Sequence, residues 1–144
     1  GHMFTSIVWA ADDSEHAKEA LPHVMKLAHE GATEITILHV VERVEGGGAV
    51  GPTRRVDEGK IQDELERLAK DLSSGGIKAS VVVRSDVGVR PAHEIVDLAG
   101  KKSADLIVVG TRGRSLLSEI LLGSETLRLL HLAPCPVLVV PTKM

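Results

Sequence analysis

Five short runs of β-branched and aliphatic residues alternate with longer stretches of helical apolar spacing, and this alternation constrains the chain most. The runs are Thr5-Ser6-Ile7-Val8-Trp9-Ala10-Ala11, Ile35 to Val41, Ser80 to Arg84, Asp105 to Gly110, and Val137 to Val140. The second, fourth and fifth are nearly continuous aliphatic segments, as expected for strands buried on both faces. Between them, Ala17, Ala20, Leu21, Val24 and Ala28 form one helical stripe, with Ser14 placed to cap it. Pro22 lies inside that stripe and should kink the helix. Ile61, Leu65, Leu68 and Leu72 form a second stripe, closed by Ser73-Ser74-Gly75-Gly76. Ala92, Ile95, Val96 and Ala99 form a third, opened by Pro91. A fourth helix is expected from Ser124 to Leu132, stopped by Pro134.

Strand and helix in strict alternation require crossover connections and hence a parallel sheet. Right-handed crossovers then leave few topologies. The expectation is an α/β fold, flavodoxin- or Rossmann-like. Its open five-stranded parallel sheet has the order 3-2-1-4-5, with helices on both faces. The leading Gly1-His2-Met3 reads as a cloning scar, and residues 4–144 as a single domain. One segment breaks the rhythm. Glu42 to Gly59 has no periodicity and clusters Gly46-Gly47-Gly48, Gly51 and Pro52. It reads as a long loop, either a lid over a ligand or a plain connector.

Composition removes several function classes. The net charge is −3, with 17 Lys and Arg against 20 Asp and Glu, so no basic excess attracts a phosphate backbone. Phe4 and Trp9 are the only aromatic residues, too few for base-stacking platforms. No apolar run approaches the ~20 residues of a membrane helix, and no secretory signal is seen. A cytoplasmic protein with neither nucleic acid nor membrane as partner is expected. The single cysteine, Cys135, sits between Pro134 and Pro136 and reads as a small buried hydrophobe.

In open parallel sheets, ligands bind beyond the C-terminal strand ends where the strand order reverses. Here that point lies between strands 1 and 4, so the loops of interest run from Ala10 to Ser14 and from Gly110 to Ser124. The second reads Gly110-Thr111-Arg112-Gly113, nine residues, then Gly123-Ser124. Glycines let backbone N–H groups turn toward an anion, and the helix opening at Ser124 offers free N–H groups and a positive dipole end. Arg112 and Arg114 add positive charge. Glycines acting simply as caps and turns account for the same residues.

The spacing Gly-x₂-Gly-x₉-Gly-Ser resembles the ATP-binding signature of one branch of the universal stress protein family. The resemblance runs from Phe4 to Pro141. It includes Ala104 to Gly113, Leu121-Leu122-Gly123-Ser124, Ala133 to Val140, Leu38-His39-Val40, and Asp12 with Ser14-Glu15-His16. It implies that Asp12 approaches the adenosine end of a nucleotide and that Ala10 and Ala11 line that pocket. Val40 is to contact adenine, and Val109 to pack near the base or ribose. Gly110, Gly113, Gly123 and Ser124 are to hold the phosphates. Arg112 in that loop and Glu125 in the first turn of the helix that follows complete the implied nucleotide-binding set. The implied ligand is ATP or another adenine nucleotide, with or without Mg²⁺. Two positions depart from the pattern: Asp13 and Glu125 are acidic where uncharged residues are usual, and a carboxylate beside phosphates repels them. The resemblance also implies a homodimer formed by antiparallel pairing of the last strand, Val137 to Val140.

The remaining chemistry is sparse. His16, His23, His29, His39, His93 and His131 show no metal-ligand clustering and read as solvated or capping residues. There is no Gly-x-Ser-x-Gly elbow and no Walker Gly-Lys-Ser/Thr. Arg54 and Arg55, in the long segment after the second strand, read first as solvated, with reach onto a bound phosphate as the lesser reading. Three functions follow in order: a regulatory module binding an adenine nucleotide, a dimeric interaction module without useful nucleotide binding, and a weak ATPase or self-phosphorylating protein.

Overall fold

The computed structural model describes residues 4–11, 14–43, 58–110 and 124–141. In chain order the elements are β1 (Ser6–Ala10), α1 (Ser14–Leu27), β2 (Glu34–Arg43), α2 (Glu58–Ser74), β3 (Lys78–Val87), α3 (Pro91–Lys101), β4 (Leu106–Gly110), α4 (Ser124–Leu132) and β5 (Val137–Val140). The strands form one parallel sheet in the order β3-β2-β1-β4-β5, as the alternation predicts.

Side-chain alternation on these strands splits the core in two. Ile7, Trp9, Ile35 and Ile37 face α1 and α2, packing on Ala20, Val24, Ile61 and Leu65. Val8, Leu38, Ile107 and Val109 face α3 and α4, packing on Ala92, Ile95, Leu98 and Leu129. A strand covered on both faces must be apolar at every position, which is why the aliphatic runs carry no polar alternation. Among the described residues, no helix is long and apolar enough to cross a membrane.

The element ends depart from the sequence pattern in instructive ways. β3 runs from Lys78 to Val87 because it pairs with β2 over ten register positions, so polar Lys78, Ser85 and Asp86 are drawn into a strand. Glu42 and Arg43 belong to β2, and Glu58 and Gly59 to α2. The expected loop is therefore shorter at both ends, and its interior lies outside the described residues. α1 continues through Pro22 as a single helix. α2 ends as its glycines predict. Gly76 sits at φ 93° and donates to Ser73, while Ile77 donates to the Leu72 carbonyl and buries beside it. Cys135 is partly buried against the α3/α4 side of the core, and burial, with the Asp105 charge second, pushes its thiol pKa up. It is a packing residue and not an activated thiol.

The N-terminal edge of the sheet is tied by one carboxylate. Asp105, just before β4, accepts the Thr5 N–H at 2.9 Å, the Ser6 N–H at 3.0 Å and the Thr5 hydroxyl at 3.2 Å. Desolvation pushes this carboxyl up, but the Thr5 and Ser6 donors outweigh it, and the group titrates below the ordinary carboxylate value. The ionised form is thus the one the fold binds. Its stabilisation is complete above the unfolded carboxyl's pKa and is lost as pH falls through the lower folded value. Asp105→Asn should lower the unfolding free energy at neutral pH by about 1–2 kcal/mol, and the deficit should shrink on acidification. Urea unfolding of both proteins across the acid range measures this; a deficit independent of pH would refute it.

Candidate functional site

The strand order reverses at β1, which pairs with β2 on one side and β4 on the other. α1 and α2 cover one face of the sheet and α3 and α4 the other, so the connections that leave β1 and β4 go to opposite faces. At the C-terminal rim, Ala10 is in register with Leu38 of β2 and Val109 of β4. Ala10, Val40 and Val109 share the sheet face covered by α3 and α4. Gly110 closes β4 opposite Val140. Ser124, the first residue of α4, is exposed, as a helix N-terminus offering free N–H groups requires. Ala11 differs: its side chain packs into the core on the opposite face, with α1 and α2. Asp12, Asp13, Arg112, Gly113, Arg114 and Gly123 lie outside the described residues, as do Arg54 and Arg55.

The Glu125 carboxylate is engaged elsewhere than at an anion. Its Oε2 accepts the Ala92 N–H at 2.9 Å, and its Oε1 accepts from Arg128 Nη1 at 2.7 Å. Arg90 supplies no side-chain cap to α3, and Pro91 has no N–H, so Glu125 caps that helix from α4. Beside it, an open groove of about 580 Å³ runs between α3 and α4, lined by Arg90, His93, Ser124, Leu127, Arg128 and His131 among others. Its lining comes from α3, from α4 and from Arg90 just before α3, and none of Ala10, Val40, Val109 and Gly110 belongs to it. The rim, where strand order reverses, is therefore the better candidate.

His39 corrects the sequence reading of the histidines as solvated or capping. His23, His29, His93 and His131 are exposed, but His39 is 2% exposed and Glu58, at the start of α2, is 3% exposed. His39 Nε2 lies 2.6 Å from Glu58 Oε2, and its Nδ1 lies 2.9 Å from the Ala11 carbonyl oxygen. Gln62, one turn along α2, donates to the same Glu58 oxygen at 3.2 Å. A carbonyl oxygen can only accept, so Nδ1 carries a proton. The second proton lies between Nε2 and Oε2, and whichever atom holds it, the pair as a whole is neutral. The Glu58 carboxylate also sits in the first turn of α2, where the helix dipole favours negative charge. A signal for His39 existed in the sequence: Ile35, Ile37, His39 and Val41 share one strand face, and that face is apolar. Nothing local marked Glu58.

The structure is thus a doubly wound α/β domain whose strand order reverses at β1. The chain belongs to the universal stress protein family, whose model matches residues 3–141. It is 36% identical to universal stress protein MJ0531 of Methanocaldococcus jannaschii, covering 96% of this chain and 83% of that one. It is 34% identical to universal stress protein YxiE of Bacillus subtilis, covering 96% and 99%. The solved structure of the hypothetical protein MJ0577 matches with a TM-score of 0.74 at 28% identity, covering 98% of each chain. The universal stress protein from Archaeoglobus fulgidus in complex with dAMP has the same fold, with a TM-score of 0.62 at 21% identity over 95% and 98% of the two chains.

A buried polar group left without its partner costs more than the pair replaced whole by apolar groups. Glu58→Leu should therefore lower the unfolding free energy by about 2 kcal/mol, and His39→Leu/Glu58→Leu by less than the sum of Glu58→Leu and His39→Leu. Denaturant titration of the two single variants and the double gives the coupling; simple additivity would show that the two groups act independently.

Proposed function

We propose that this protein is a regulatory module that binds an adenine nucleotide at the C-terminal rim of β1 and β4. The observation that carries this reading is that Ala10, Val40 and Val109 share one sheet face where the strand order reverses, with Gly110 ending β4, and that α4, which packs on that same face, begins at the exposed Ser124. Small apolar side chains on one sheet face suit a flat base and ribose. A helix N-terminus suits phosphates, and the glycine spacing preceding it supplies backbone room for them. Family membership and the dAMP complex of the Archaeoglobus fulgidus relative support the same ligand class. In this reading Asp12 meets the adenosine, and Gly110, Gly113, Gly123 and Ser124 hold phosphates with Arg112 nearby. Ligand binding biases which partners the protein engages in the cytoplasm. The engagement of Glu125 by Ala92 and Arg128 removes its carboxylate as an objection to a bound phosphate.

Calorimetric titration with ATP, AMP and cyclic AMP, with and without Mg²⁺, tests this directly. Saturable binding is expected for the wild type and none for Gly123→Val, in which a branched side chain fills the space the signature leaves open. Absence of binding at millimolar ligand by a folded wild type would leave the domain as an interaction module.

The assembly proposed is a homodimer through β5. That strand is the sheet edge, and Val137, Leu138 and Val139 remain partly exposed. An apolar edge of this kind demands cover, and a second copy supplies an identical strand across a two-fold axis. Sedimentation velocity at micromolar concentration should give twice the chain mass, with the β5 amides protected from exchange; a monomer would overturn it.

A further inference from the structure

The buried pair of His39 and Glu58 has a geometry that packing alone does not demand. Two polar side chains sit within a face otherwise built from Ile35, Ile37, Trp9 and Ile61. Apolar groups of similar volume commonly replace a buried polar pair at little cost. The pair instead ends on one particular atom, the carbonyl oxygen of Ala11.

Ala11 stands where β1 gives way to the rim. The register of β1 on β2 ends at Ala10 and Leu38. The Ala11 N–H still donates to the Leu38 carbonyl at 2.9 Å. Among the described residues no backbone N–H beyond that point donates to the Ala11 carbonyl, and the His39 ring takes it. Both polar groups of Ala11 are therefore held by adjacent residues of β2, one through backbone and one through side chain. The ring is held in turn by Glu58, which Gln62 steadies from the next turn of α2. A neutral imidazole left alone chooses between two tautomers, and one of them would point a lone pair at the carbonyl. Glu58 removes the choice: with it in place, the two protons of the pair leave Nδ1 always a donor.

We infer that Glu58 and His39 are positioning residues for the nucleotide site, fixing the Ala11 carbonyl at the end of β1 beside Ala10 and Val40, which line the proposed nucleoside end. This rests on the proposed nucleotide site and deepens it. Neither side chain touches the ligand; they act through the Ala11 carbonyl. The relay serves the nucleoside end and not the phosphate end, so it should affect ligands with one and three phosphates alike.

Three proteins test it: the wild type, His39→Leu/Glu58→Leu, and Glu58→Gln. The double variant keeps the space filled without leaving a buried charge. The glutamine amide donates to Nε2 and so preserves the Nδ1–H facing Ala11. Circular dichroism and denaturant midpoints establish that each is folded, and calorimetry with AMP and ATP then reads affinity. The double variant should bind both ligands about tenfold more weakly, by the same factor, as expected for a lost buried hydrogen bond that orders the site. Glu58→Gln should stay near the wild type. A double variant that binds as tightly as the wild type overturns the inference while the nucleotide site stands. So does a loss confined to ATP, which would place the effect at the phosphates. A wild type that binds neither ligand removes the nucleotide site itself, and the positioning role with it.

Discussion

The two-sided pairing of β1 is the constraint on which the rest of this molecule depends. Ile7, Val8 and Trp9 are buried to 1% or less because β2 and β4 flank the strand and helices cover both its faces. The parallel ladder forces each connection over one face or the other, and right-handed crossovers decide which. α1 and α2 go to one face, α3 and α4 to the other, and the change of side happens at β1. The divergence of the connections that leave β1 and β4 follows from that change and needs no special sequence of its own.

Polar side chains mark the two ends of this central strand. At its start, Asp105 gathers the Thr5 and Ser6 donors and sets where β4 lies against β1. At its finish, His39 takes the Ala11 carbonyl and sets where the chain leaves the sheet. Between them the strand is apolar, with its backbone groups committed to its neighbours. Glu125 does related work on the other face, joining α4 to the N-terminus of α3. The helix that begins at the rim is thereby braced against its neighbour by a residue immediately inside its own first turn.

The strands were legible because burial on both faces imposes aliphatic residues at consecutive positions, a pattern that local sequence carries in full. Val137 to Val140 has the same bounds in sequence and structure because Pro136 and Pro141 flank it, and Ser124 to Leu132 because Gly123 precedes it and Pro134 follows it. The ends of β3 and the start of α2 were not legible. Lys78 and Asp86 join a strand only because β2 is long enough to pair with them, which is information held in another segment. Glu58-Gly59 looks like loop, and what anchors it is a histidine nineteen residues earlier in the chain, invisible to any local window. The rim itself was readable from topology, whereas assigning roles to the glycines depended on family resemblance, since the same glycines serve equally well as caps and turns.

The scarcity of aromatic residues has an optical consequence. Trp9 is the only tryptophan and there is no tyrosine, so the intrinsic emission of this protein comes from a single indole. That indole is 1% exposed, lies in register with Ile37 and Val108, and precedes Ala11 by two residues on the same face of the sheet. Its spectrum is therefore a built-in gauge of the strand that carries the rim, reporting on the interior of β1 without any attached dye.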